Sequence, residues 1–195
     1  MSAAGPRHAS QISIRRWTEI ADPDRLTPEL DAIFFEASAT KSFAGEAERA
    51  AFRERWLGRY LTHDPQWAYL AIDTGVAGGE VLAGYLVGKV DDRAGSAGDI
   101  GPVQDTAQLT AAYPAHLHVN LASPYRNRGI GAALIGAFAA DAARAGACGM
   151  HVVTGAASRN IGFYQRNGFR ELARASVGGR EVVFLGRPLD AAESA

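Results

Sequence analysis

The stretch that decides the fold is Ala115-His116-Leu117-His118-Val119-Asn120-Leu121-Ala122-Ser123-Pro124-Tyr125-Arg126-Asn127-Arg128-Gly129-Ile130-Gly131-Ala132. Its first eight residues read as a β-strand, Ser123-Pro124 breaks it, and Ile130, Ala133, Leu134, Ala137 and Phe138 then recur at helical spacing. The chain thus passes from strand to helix through a turn carrying Arg126, Arg128, Gly129 and Gly131. Glycines there let the backbone turn tightly and approach a ligand, while the first N–H groups of the helix sit at the positive end of its dipole. Such an end binds phosphate, and two flanking guanidiniums add charge and forked donors. The alternative is that Gly129 and Gly131 only ease the packing of strand against helix.

Outward from this element, the N-terminal half begins with an alternating strand from Ile12 to Trp17, broken at Asp22-Pro23-Asp24. A short helix is expected over Pro28–Ser38 and a longer one over Glu46–Leu61, where Phe52, Trp56 and Tyr60 recur every four residues. Trp67–Ile72 and Val81–Val90 read as an antiparallel hairpin. Residues 91–113 show no period and contain several glycines, so they read as a long loop, either a functional flap or a disordered insertion. On the C-terminal side, Met150–Val153 reads as a strand and Ser158–Asn167 as a helix capped by Ser158 and closed by Gly168. Phe169–Ala173 and Glu181–Leu185 then form a hairpin across Gly178-Gly179. This order predicts a single α/β domain over residues 12–189 with a mixed, largely antiparallel sheet, residues 1–11 and 190–195 being frayed ends.

Composition agrees with one soluble globular domain: 195 residues, 47% hydrophobic and 21% charged, enough to bury a core without disulfides or metal. The lone cysteine, Cys148, leaves no partner for an internal disulfide and fits a reducing, cytoplasmic setting. The longest apolar run, Gly131 to Ala140, is stopped by Asp141 well short of a membrane span. The net charge of −1 argues against a polyanionic partner, but it conceals an asymmetry. Residues 1–125 hold eleven basic against sixteen acidic side chains, whereas residues 126–170 hold six arginines against Asp141 alone. The basic segment reads either as the site of an anionic ligand or as solvated arginines on helix faces. The acidic front reads either as attraction for a cationic acceptor or as surface solubility.

Three phosphate-binding designs share the strand-glycine-helix look. A Walker loop needs Gly-Lys-Ser/Thr, which Ile130-Gly131-Ala132 does not supply, and the two lysines, Lys41 and Lys89, lie elsewhere. A dinucleotide fingerprint needs a third small residue where Leu134 stands and an acidic residue about twenty positions on, yet no Asp or Glu occurs between 142 and 170.

The third design is the acetyl-CoA site of the GNAT N-acetyltransferases, which this chain resembles in two places. Arg126-x-x-Gly129-x-Gly131 is similar to that family's pyrophosphate loop, and Asn160-Ile161-Gly162-Phe163-Tyr164-Gln165-Arg166-Asn167-Gly168-Phe169 resembles its second signature, an Asn followed by Phe-Tyr and then Gly-Phe. Tyr113-Pro114-Ala115-His116-Leu117-His118 is similar to a bacterial subgroup related to the acetyltransferase-like domain of some O-GlcNAc hydrolases. Two positions depart from the pattern. Asn120 stands where that subgroup usually has Asp, which leaves an acidic contribution there open, and Pro124 sits one place later than the family's common proline.

The resemblance implies a GNAT-like sheet with its fourth and fifth strands splayed and helices on both faces. It implies that backbone groups of Leu121, Ala122 and Ser123 hold the pantetheine arm and thioester carbonyl. Arg126, Asn127, Arg128, Gly129, Ile130, Gly131 and Ala132 surround the pyrophosphate; Asn160, Phe163 and Arg166 complete the cofactor side, and Tyr164 protonates the departing thiolate. His116 and His118, two apart on one strand face, are candidates for the base, or are partly buried histidines bonded to backbone carbonyls. No third ligand is placed beside them for a metal. The expected activity is transfer of an acetyl group from acetyl-CoA to a primary amine, a small molecule before a protein, by a monomer or homodimer with no nucleic-acid or membrane partner. The alternative is a catalytically silent CoA-binding regulatory module.

Overall fold

The alternating and β-branched runs do form strands, and the computed structural model, which describes residues 11–76, 79–91 and 106–190, orders seven of them as β1-β2-β3-β4-β5-β7-β6 in one mixed sheet. They are β1 (Ile12–Arg16), β2 (Ala68–Asp73), β3 (Val81–Lys89), β4 (Ala115–Leu121), β5 (Gly149–Gly155), β6 (Arg170–Val177) and β7 (Arg180–Pro188). Only β4 and β5 run parallel, as the α/β expectation requires. Their pairing covers Ala115↔Met150 and His116↔His151 and goes no further among the described residues, although both strands are seven residues long. The chain divides into two units, Met1–Val87 with Val119–Leu134, and Gly88–His118 with Ile135–Ala195.

In the first unit, α1 (Thr27–Ala37) opens with proline in its first turn, where a missing N–H costs nothing. It buries Leu30, Ile33 and Phe34 against Leu57, Tyr60, Leu70, Ile72, Tyr85 and Val87, with Phe52 and Trp56 packed beside them. The helix expected over Glu46–Leu61 is built in three pieces: α2 (Glu46–Arg53), a π turn (Glu54–Gly58) and α3 (Arg59–His63). The four-residue spacing of Phe52, Trp56 and Tyr60 is longer than the 3.6-residue α period, and the wider turn takes up the excess.

A bulge shapes the other side of this unit. Ala71 pairs with Gly84 but Ile72 pairs with Leu82, so Ala83 is left out of the register. Its carbonyl accepts the Ala122 N–H at 3.0 Å, while the Leu82 N–H donates to Glu29 Oε2 of α1 at 2.9 Å. A Cβ at Gly84 would lie 2.3 Å from Leu121 Cδ2 and 2.6 Å from the Asn120 carbonyl oxygen. Only glycine admits so close an approach of β3 to the end of β4.

The second unit holds α4 (Thr106–Ala112), most of α5 (Ile130–Arg144), α6 (Ile161–Arg166) and the β5-β7-β6 ladder. The helix α4 occupies part of the stretch read as a loop over 91–113; residues 92–105 lie outside the described residues, as do 1–10 and 191–195 of the expected ends. Its sequence, TAQLTAA, holds one large apolar residue, too few for a periodic signal. The expected Ser158 cap is not formed: α6 starts at Ile161 with Asn160 as its cap residue and no side-chain cap bond. Its end is as expected, the Gly168 N–H donating to Gln165 O and the Phe169 N–H to Tyr164 O, each at 3.1 Å. The hairpin crosses Gly178-Gly179 in the register Val177↔Arg180.

Because the Asn120 carbonyl is backbone, it cannot swing aside for a methyl group. Gly84→Ala is therefore expected to cost about 1–3 kcal/mol by overpacking, read as a lowered midpoint in urea unfolding with an unchanged slope.

Candidate active site

In the first unit the turn between β4 and α5 begins with a short 3-10 segment, Ser123–Tyr125, started by Pro124. Asn127 (φ 60°) and Gly129 (φ 79°) both take the left-handed conformation, one that Asn tolerates and Gly adopts freely. The Gly129 carbonyl accepts the Ala133 N–H at 3.0 Å and so closes the first turn of α5. The N–H groups of Ile130, Gly131 and Ala132 consequently have no carbonyl one turn back to bond. They form the positive end of a fifteen-residue helix.

Two carboxylates hold this turn. Asp73, buried at the end of β2, accepts the Tyr125 hydroxyl at 3.1 Å through Oδ2 and the backbone N–H groups of Gln11 and Gly75 through Oδ1. Burial, and then the bond to Asp73, pushes the Tyr125 phenol above its ordinary pKa. Glu36, near the end of α1, accepts the Ser123 hydroxyl and, at 2.6 Å, the Arg126 guanidinium. Ser123, followed by Arg126, lowers the Glu36 pKa against some desolvation. Arg126 also reaches back to the Leu121 carbonyl at 3.0 Å, and Arg128 lies over the Tyr125 ring, 5.7 Å from its centroid. The sequence contained Glu36 and Asp73 but no local signal for either role, since each acts on residues at least 50 positions away.

Asn120 donates its amide to the hydroxyl of the fully buried Tyr85 at 2.9 Å. Burial raises the Tyr85 pKa and so keeps the phenol protonated. Asn120 thus satisfies a buried polar group that would otherwise be costly.

The second unit brings three histidines together where two were expected. His116 and His118 face each other with Nε2 atoms 3.2 Å apart, so one ring donates and the other accepts. His151, paired with His116 across the β4–β5 ladder, stacks on His116 with ring centroids 5.6 Å apart and on Phe184 at 4.7 Å. Its Nδ1 lies 2.6 Å from the Tyr113 carbonyl, which fixes the proton on that nitrogen. Burial lowers the His151 pKa to about 4. His116 is buried and His118 half-buried. Among the described residues, no three His, Cys, Asp or Glu side chains are disposed to hold a metal ion.

Also in this unit, Asn160 accepts the Thr154 hydroxyl at 3.0 Å and Phe163 packs edge-on to Tyr164 at 5.3 Å. The Tyr164 ring is buried against Phe169 at 5.4 Å, and desolvation raises its pKa. No hydrogen bond to its hydroxyl is formed among the described residues. Arg166 is exposed on α6.

A turn suited to phosphate thus joins β4 to the N-terminus of α5 within a mixed α/β sheet. Residues 69–171, more than half of the chain, match the family model described as "Acetyltransferase (GNAT) domain". This chain belongs to the GNAT acetyltransferase family. It is similar to the crystal structure of SsHAT (24% identity, TM-score 0.66, covering 92% of this chain and 98% of that one). It is also similar to a ribosomal-protein-alanine N-acetyltransferase from Brucella melitensis (20%, TM-score 0.56, 91% and 99%). A third likeness is to yncA from Salmonella typhimurium, solved with its cofactor acetyl-CoA (16%, TM-score 0.57, 95% and 98%).

The lowered His151 pKa has a stability consequence. Between pH 6.5 and 4 the unfolded chain protonates this imidazole and the folded chain does not, so stability is complete above that window and falls as the pH drops through it, by at most about 3 kcal/mol. His151→Gln retains a donor for the Tyr113 carbonyl and removes the titration. Its melting temperature is expected to fall less steeply than wild type over this window; equal slopes would show that His151 is not differentially protonated.

Proposed function

We propose that the chain transfers the acetyl group of acetyl-CoA to the primary amine of a small molecule. The observation carrying this reading is the α5 N-terminus, whose first N–H groups, at Ile130, Gly131 and Ala132, have no intrahelical partner and follow a left-handed turn flanked by Arg126 and Arg128. A pyrophosphate fits that donor set: it is anionic, multiply accepting and suited to close backbone approach. Acetyl-CoA supplies the activated thioester. Ile130, Gly131 and Ala132 bind its diphosphate, with Asn127, Gly129 and the two arginines around them. The backbone of Leu121, Ala122 and Ser123 orients the pantetheine arm, which Asn160, Phe163 and Arg166 also contact.

In this scheme His118 takes the proton that the amine loses as its nitrogen bonds to the acetyl carbon. His116, hydrogen-bonded to His118 through Nε2, orients that ring for the transfer. Tyr164, held protonated by burial, donates to the sulfur as the thioester bond breaks. The likeness to the subgroup related to O-GlcNAc hydrolases rests on Tyr113–His118 and leaves the acceptor open. One observation favours the silent CoA-binding reading instead: Asn120, at the subgroup's acidic position, is engaged with Tyr85.

Tyr164→Phe is expected to lower kcat by about 10²–10⁴ in a free-thiol release assay with acetyl-CoA and an amine panel, with little change in cofactor affinity. Activity equal to wild type would remove Tyr164 from the chemistry, and thiol release by neither protein with any amine would favour the silent module. Arg126→Ala is expected to weaken acetyl-CoA binding in calorimetry and to reduce its dependence on salt. Unchanged affinity and salt response would leave Arg126 as a structural partner of Glu36 and the Leu121 carbonyl.

A further inference from the structure

A cavity of about 340 Å³ in the first unit contains none of the residues assigned above. It is lined by the end of α1, the α1–α2 connection and the start of α2, with Phe35, Thr40, Lys41, Phe43, Glu46 and Arg49 in its wall. Its size is at the low end of small-molecule sites, about 300–1,000 Å³. Two half-buried rings provide its apolar surface: Phe43 meets Phe35 nearly perpendicularly, with centroids 5.9 Å apart, and leans on Phe52 at 5.3 Å.

The charged groups in the wall select the sign of a ligand. Lys41 donates to the carbonyls of Phe35 and Glu36, at 3.3 and 2.7 Å, and its third N–H has no acceptor among the described residues. The Arg49 guanidinium lies over the Phe35 ring, 3.9 Å from its centroid, and its planar fork of donors suits a carboxylate. Its carboxylate partner, Glu46, is 3.7 Å away with its side chain 90% exposed, a loose pair that a ligand carboxylate can replace. The neighbouring Glu48 is occupied by the Ala44 N–H. An amine would meet two cations against the single carboxylate of Glu46 and find the Phe35 face already covered by Arg49.

We propose that this cavity binds a small aromatic carboxylate, its ring against Phe43 and its carboxylate across Arg49 and Lys41. The site does not depend on the acetyl-transfer reading, because it is defined by direct binding.

Calorimetric titration of the full chain with phenylacetate, 2-phenylethanol, phenethylamine and acetate tests it. Phenylacetate is expected to bind with one-to-one stoichiometry and at least about tenfold more tightly than each of the other three. Arg49→Gln is expected to erase that preference over 2-phenylethanol, and Phe43→Leu to weaken phenylacetate about tenfold, with circular dichroism confirming the fold of both. No binding of phenylacetate, or phenethylamine binding as tightly, overturns the proposal on the wild-type protein alone. Acetate matching phenylacetate, or affinities unaltered in both variants, overturns the assignment of the ring and charge contacts.

Discussion

The turn from β4 into α5 is the constraint on which the candidate site depends, and it is held by carboxylates from two other parts of the first unit. A helix end that must receive phosphate cannot satisfy its own N–H groups, so its placement has to come from neighbours. Asp73 fixes Tyr125 from the end of β2, and Glu36 fixes Ser123 and Arg126 from α1. The Ala83 bulge anchors the same turn from a third side through the Ala122 N–H. None of these bonds uses the N–H groups of Ile130, Gly131 or Ala132.

These anchors change the meaning of the acidic N-terminal half. Glu36 pairs with Arg126, Asp31 with Arg53, and Glu80 with both Arg15 and Arg25. Of these pairs only Glu36–Arg126 joins the acidic half to the basic segment; the others lie within the acidic half and leave its excess unchanged. Each of these pairs is half-exposed and adds little to stability on its own, but Glu36 also sets the direction of the Arg126 side chain.

Elements with strong local periodicity were legible from the residues alone: β1, the β2–β3 hairpin, α1, α5 and the β6–β7 hairpin lie where alternation, helical spacing and paired glycines put them. Features built by distant pairing were not. His151 stands 35 positions from His116 and meets it only because the parallel ladder sets Ala115 against Met150. In the same way Tyr85 gives Asn120 a structural partner that no spacing announces. The helix Thr106–Ala112 escaped for another reason, its small and polar residues leaving only Leu109 to mark a face. The Ser158 cap was misplaced because Ser and Asn both suit a cap and the helix began at the later one.

The π turn at Glu54–Gly58 separates two obligations of one long helical stretch. Leu57 within the turn and Tyr60 beyond it are fixed by the buried core, whereas Phe52 and Arg53 on its N-terminal side answer to Phe34, Phe43 and Asp31. A regular helix would tie the rotation of one set to that of the other. The extra residue in the wide turn uncouples them, so the cavity-bearing end can be re-tailored by substitution while the core-facing end keeps its register.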